Sequence, residues 1–380
     1  MTTKDSGLWT QDYFYPNFDP IYTTNSILTF QETMELVDPN LQTRAMEEQK
    51  SEEQSKLSDA ARDENHKLQE QLKKLQTKYN AMGQDLSSYL DGLLYSDYLT
   101  YWDYIHLDTL LSLQSPKTQF PDEKIFIMYH QITELYFNLI LWETEQIGAK
   151  TDITEEWFIE RLGRINRYFY QLRESFSIMV EGMERDQFLK FRMSLLPASG
   201  FQSAQYRMIE ISCTDMINLV SAPEREALNE YSDIDLQVEK LYWRSGATEL
   251  ATGKKTLTLQ QFEEKYMPSF KSMGLKSRDR NIRKVYLRHF AHSQPVIEAL
   301  RELDLYANVL WPLAHLKAAG HYLKKATSEI KATGGTNWQK FLPPRFQKIM
   351  FFPELWSDLE KEEWGKAAFL SNPSEIVSKS

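Results

Sequence analysis

Four stretches, residues 122–148, 153–181, 184–194 and 201–220, carry apolar side chains at helical spacing with only short breaks between them. Recurrence every three or four residues over such lengths builds amphipathic helices and leaves no place for period-two strands. The same periodicity returns from 284 to 332. Gly and Pro, 14 of each in 380 residues, are too few for the many tight turns of an all-β chain. The expected fold is therefore all-α: a helical bundle into which a smaller, less regular helical region, 221–283, is inserted.

Composition shifts divide the chain further. Residues 1–43 are aromatic-rich and irregular, with Trp9, Tyr13, Phe14, Tyr15, Phe18 and Tyr22 close together. Residues 44–82 are a charge run whose Leu68, Leu72 and Leu75 form a short apolar seam, which reads as a solvated helix or spacer. Residues 83–372 would form the bundle itself. Within the inserted region, Thr258 with Gln261 three residues on reads as the N-cap of a further helix.

A formal charge of −10 disfavours a nucleic-acid partner, since phosphate affinity rests on clustered Lys and Arg. A single cysteine, Cys213, excludes an internal disulfide framework and suits a reducing compartment. The opening "MTTKDSGLWTQDYFYPNFDP" lacks the basic and apolar regions of a secretory signal, and no apolar run reaches spanning length. A cytoplasmic protein with no membrane partner is expected.

Several constellations suggest a site. On a helical wheel of "DEKIFIMYHQITELYFNLILWETEQ", Ile125, Met128, Ile132, Leu135, Tyr136 and Leu139 share one broad face, and Gln131, Glu134 and Asn138 the opposite one. Phe126, His130 and Phe137 form a narrow stripe on the border, where an imidazole one turn from a phenyl ring suits an aromatic pocket; a half-buried histidine satisfied by a carbonyl is the plainer reading. In "FLKFRMSLLPASGF", Phe188 and Arg192 are helix neighbours, followed by Ser199 and Gly200. An arginine fork matches a carboxylate, and small residues admit a flat ligand; a helix break with a surface arginine is the rival. "WPLAHLKAAGHY" sets His315 and His321 among alanines and a glycine, which is what axial ligation of a haem would need. "HFAH" offers His289 and His292 as a weak metal pair with no third ligand in step. The loop "KATGGTNW", with Thr333, has amides to offer an anionic or zwitterionic group.

In order, "YWDYIHLDTLLSLQ", "DEKIFIMYHQITELYF", "FRMSLLPASGFQSAQYRMIE", "WPLAH" and "ATGGT" closely resemble the tryptophan 2,3-dioxygenase family. The third is the most specific, and the five span roughly residues 95–342. The resemblance implies an all-helical homotetramer with one b-type haem per subunit. It implies insertion of both atoms of O₂ across the indole C2–C3 bond of L-tryptophan, giving N-formylkynurenine, the first step of tryptophan catabolism by the kynurenine pathway. A related haem enzyme delivering one oxygen atom, or a haem- or indole-binding protein without turnover, stays open.

By position, the resemblance makes His130 the distal histidine that hydrogen-bonds the indole N–H. Phe126 and Phe188 become pocket walls, and Arg192 the clamp on the substrate carboxylate. Ser199 and Gly200 would lie over the haem, and Thr333 would contact the substrate's ammonium and carboxylate. Tyr101 and Tyr104 match a pair that reaches into a neighbouring subunit's pocket. The family's tryptophan four residues before its proximal histidine selects Trp311 and His315 as the iron-ligand pair, with His321 the runner-up. From His315 the threonine-glycine loop is about four residues further than in the family, close to one helical turn. Trp102, Pro312 and Trp338 depart from the family pattern, and the first 75 residues have no counterpart in it.

Overall fold

The computed structural model describes residues 39–96, 99–195, 202–247, 254–323 and 343–366. Two compact units divide the chain, Met1–Ile105 and His106–Ser380. Among the described residues there is no strand, only one isolated bridge between Val220 and Leu241, so the fold is all-α as the periodicity requires.

The first unit is led by one long helix, α1 (Pro39–Ala81). It stops at Gly83, whose φ of +66° suits a residue without Cβ, while the amide of Gln84 donates to the Tyr79 carbonyl at 2.9 Å. Helix α2 (Leu86–Leu94) turns back with Asp85 as its cap, accepting from the amides of Ser87 and Ser88 at 3.2 and 3.0 Å. The rings of Tyr79 and Tyr89 meet edge-on at 4.8 Å. A short helix, α3 (Tyr101–Tyr104), closes the unit with Thr100 as its cap.

In the second unit, α4 (Asp122–Ala149) packs against α5 (Glu155–Glu174) and against α8 (Ala204–Cys213). Between them lie the short helices α6 (Phe176–Glu181) and α7 (Arg185–Phe191), the latter passing into a 3₁₀ turn at Arg192–Leu195. Helix α9 (Leu257–Ser277) packs on α8, and α10 (Gln294–Leu305) packs on α5. The core is aromatic and aliphatic, with Phe137, Ile140, Phe158, Phe169, Phe270 and Leu300 essentially inaccessible. Residues 221–283 contribute to that core through Leu241, Trp243, Phe262 and Phe270.

Two expectations are corrected. The N-cap of α9 is Thr256, not Thr258: the Thr256 hydroxyl accepts from the Leu259 amide at 3.3 Å, while Thr258 is buried inside the first turn. Both threonines precede the apolar stretch, and extended backbone at Thr256 decides between them. On α4 the broad apolar face is only partly covered: Ile125 and Tyr136 pack against the buried clusters. Phe137 and Ile140 are buried, whereas Ile132, Leu135 and Leu139 are exposed.

The last helix continues from α10 through a π turn at Tyr306–Leu310 into α11 (Trp311–Leu323). Pro312 explains part of this. Proline has no amide to give the carbonyl four residues back, and its ring crowds that carbonyl, so a wider turn just before it relieves both conflicts. At the start of the same segment Asp304 is fully buried. Its carboxylate accepts from the amides of Phe351 at 2.8 Å and Phe352 at 3.1 Å, from Trp356 Nε1 at 2.8 Å and from Asn308 Nδ2 at 2.7 Å. Burial pushes its pKa up to about 6 against the pull of those four donors. An Asp304→Ala change strands buried N–H groups at about 1–3 kcal/mol each. Chemical denaturation is expected to show a loss of roughly 3–5 kcal/mol, among the largest for any single substitution in this chain.

Candidate functional site

A second cluster of buried side chains, separate from the main core, joins α4, α6, α7 and α11: Tyr129, Phe176, Met179, Phe188, Phe191 and Tyr322. The Tyr322 hydroxyl donates to the carbonyls of Met179 and Met183, which pins α11 to the α6–α7 corner. Phe188 lies 4.6 Å from the Tyr322 ring and 6.1 Å from Phe126. These rings pack into one aromatic cluster, which forms the candidate recess.

His130 sits on that wall with its ring 4.1 Å from Phe126. Its Nδ1 lies 2.7 Å from the Phe126 carbonyl oxygen. A carbonyl only accepts, so Nδ1 carries the proton and donates, and the neutral ring keeps a lone pair on Nε2. The side chain is solvent-accessible, yet desolvation by surrounding protein is the first cause that holds its pKa below the usual histidine range.

His315 faces the same recess from α11. Phe176 stacks on its ring at 5.8 Å, and Trp311 flanks it at 5.9 Å. Tyr129 bridges to the other histidine, 5.9 Å from His130 and 5.7 Å from Phe176. Burial pushes the His315 pKa down to about 4, and the charge of His130 adds to the shift, so the two imidazoles lie within electrostatic reach of each other. Among the described residues, neither ring nitrogen of His315 makes a hydrogen bond, and the buried Nε1 of Trp311 has no acceptor. His321, six residues on, is exposed and touches only the edge of Tyr322 among the rings.

Arg192 begins the 3₁₀ turn after α7 and is only 5% exposed. Burial pushes its pKa down, the cost of keeping a guanidinium from water. Ring contacts thus link Phe126, His130, Phe188 and His315, and Arg192 is buried one helical turn after Phe188. Tyr101 and Tyr104 lie in the first unit and are exposed. Ser199, Gly200, Thr333 and Trp338 fall outside the described residues. His289 and His292 are both exposed, and among the described residues no three His, Cys, Asp or Glu side chains gather around a point.

Sequence reasoning missed Tyr129, Phe176 and Tyr322. Only the neighbour of His130 had a local signal; the other two reach the recess through tertiary packing. It also missed the purpose of "QYRMIE". There Ser203 caps α8, the Tyr206 ring packs on Trp311 at 5.0 Å, and its hydroxyl donates to the Ala307 carbonyl at 2.9 Å. Behind it Arg207 pairs with buried Glu210 at 2.9 Å, and Tyr242 donates to Glu210 at 2.5 Å.

The fold is all-α, and one aromatic cluster in it carries two histidines held neutral by burial. Comparison with known proteins shows what the chain is similar to. The model of the family described as "Tryptophan 2,3-dioxygenase" matches residues 92–219. A tryptophan 2,3-dioxygenase of a Ruegeria species is 39% identical over 118 residues, covering 30% of this chain and 42% of that protein. Those of a Bacillus cereus strain and of Bradyrhizobium diazoefficiens are each 27% identical, over 280 and 283 residues, covering 69% of this chain and 92% of each relative. Over these stretches the chain is similar to the tryptophan 2,3-dioxygenases.

The pH dependence of folding follows from His315. With a folded pKa near 4 and an unfolded value near 6.5, the unfolded chain takes up the proton first, so stability is lost as pH falls from about 6.5 towards 4. Between pH 7 and pH 5, urea titrations are expected to show a loss of about 1–2 kcal/mol in the native chain that His315→Gln does not share.

Proposed function

We propose that the chain is a haem-dependent oxygenase that opens the indole C2–C3 bond of L-tryptophan with O₂ to give N-formylkynurenine. The observation that carries this is the pairing across one aromatic recess of two neutral imidazoles, one with uncommitted ring nitrogens and one with its Nε2 lone pair fixed.

The residues present fit a haem. An axial ligand must be a neutral imidazole with a free nitrogen, and His315 meets both conditions. Ala314 and Ala318 beside it are small enough for a flat macrocycle to approach the helix. His321 is exposed, which favours His315 as the ligand. One bound haem would supply the activation of O₂. The chain's own side chains do the rest.

His130 Nε2 is an acceptor and suits the indole N–H, so a ring lacking that N–H leaves a desolvated lone pair unpaired and is rejected. Phe126 and Phe188 enclose the indole and exclude water. The buried guanidinium of Arg192 takes the substrate carboxylate, a charge-assisted contact that fixes the end of the amino acid remote from the reacting carbons. By family resemblance Ser199 and Gly200 cover the haem, and Thr333 holds the substrate's ammonium and carboxylate.

Association of copies belongs to the same reading. Ile132, Leu135, Leu139 and Trp142 make an exposed apolar stripe along α4, the last 60% accessible, and Tyr101 and Tyr104 stand free for a neighbour's pocket. The resemblance supports assembly as a homotetramer. Among the described residues no helix is long and apolar enough to cross a membrane.

The test is to load the protein with haem, reduce it without oxygen, add L-tryptophan and then air, and weigh the product. Two added oxygen atoms with an opened ring are expected; one added atom, or none, refutes the dioxygenase reading. His315→Ala should abolish stoichiometric haem binding while His321→Ala retains it, and the reverse result moves the ligand to His321. Arg192→Leu should weaken tryptophan binding by roughly 1.5–3 kcal/mol; an unchanged affinity excludes the clamp.

A further inference from the structure

Helix α1 spans 43 residues, roughly 65 Å, and lies wholly outside the stretch that matches the family model. Its middle carries a regular seam. Ala61, Leu68 and Leu75 recur every seven residues, with Asn65 and Leu72 between them at steps of four and three. That is the 3-4 alternation of a two-stranded coiled coil, with one polar residue in the core row. Only the end beyond the seam is covered within the unit, where Tyr79 meets Tyr89 of α2. Leu68 is 56% exposed, Leu72 37% and Leu75 39%. Polar faces alone do not hold so long a helix; a partner along the seam does.

Charge identifies the partner. Beside the seam, Glu64 lies near its N-terminal end and Lys78 near its C-terminal end on the same flank. A parallel copy leaves these two roughly 20 Å apart. An antiparallel copy sets acid against base at both ends and is closed by a two-fold axis. In the register that sets Leu68 against Leu72 of the second copy, Asn65 meets its Leu75 and Glu64 lies beside its Lys78.

We infer that α1 is a self-association arm: it pairs antiparallel with α1 of a second copy of this chain through Ala61, Asn65, Leu68, Leu72 and Leu75. The seam is short, so its pairing is weak for a free helix and effective where copies already meet through their second units. It stands whether or not the second unit oxidises tryptophan.

The sole native thiol, Cys213, is buried, so engineered surface cysteines are read without background. Full-length Glu64→Cys and Lys78→Cys chains are co-expressed with different tags and treated with a short bis-maleimide. Antiparallel pairing gives a cross-link between the two chains, whereas in parallel pairing those positions lie roughly 20 Å apart. Adding Leu68→Glu and Leu72→Glu to both should cut the cross-linked yield by roughly tenfold or more, with light scattering confirming weaker association. Cross-linking of Ala61→Cys to itself instead means a parallel pair and overturns the antiparallel arm. No cross-link in any combination overturns self-pairing and leaves the seam to a different protein.

Discussion

The buried carboxylate of Asp304 is the constraint on which the site's frame rests. It gathers two backbone amides, an indole N–H and a side-chain amide, and so fastens residues 351–356 to the helix that runs on into the recess. Arg301, one turn earlier, adds its own hold by pairing with Glu360 at 2.6 Å and stacking 4.0 Å from the Trp356 ring. The rod that carries His315 is thereby fixed at its base, and Tyr322 fixes it near its far end. A ligand held by one imidazole needs such a mount, because the position of that imidazole sets everything bound to it.

The opposite wall works by a shorter-range device. One hydrogen bond within a single helical turn, from His130 Nδ1 to the Phe126 carbonyl, decides which nitrogen accepts. The same residue that supplies the carbonyl supplies a wall ring, so orientation and enclosure come from one pair of side chains. Phe188 and Arg192 repeat the arrangement on the next helix, ring and charge four residues apart and both buried. The proposed pocket rests on two such pairs, each readable within one helical turn.

What was legible in the sequence was whatever lives within one turn of one helix. Phe126 with His130, and Phe188 with Arg192, are readable because helical phase places them together before any tertiary contact is known. The α-helical class was readable for the same reason. Phe176 and Tyr322 were not, since they reach the recess only when α6 and α11 meet. The inward face of α4 was misread because its exposed Ile132, Leu135 and Leu139 are as apolar as a core stripe; hydrophobicity marks burial in an assembly as readily as burial in a chain. The Thr256 cap differs from Thr258 only in backbone angle, which residue type does not encode. His315 was favoured over His321 by the tryptophan four residues before it; six residues along a helix put the two side chains about 120° apart, and the structure leaves His321 exposed.

The wide turn at Tyr306–Leu310 has a consequence for how this chain can vary. A π turn stores about one extra residue relative to an α-helix, and that surplus rotates all that follows by about 100° about the rod. His315, Ala318 and Tyr322 share one face by their spacing within α11, and the turn sets where that face points. Losing a single residue anywhere in that turn would let the helix relax to ordinary winding and swing the three together away from the recess, composition almost unchanged. Helical phase is thus a heritable quantity here, and an insertion or deletion of one residue upstream of Trp311 is a larger change than most substitutions within the pocket.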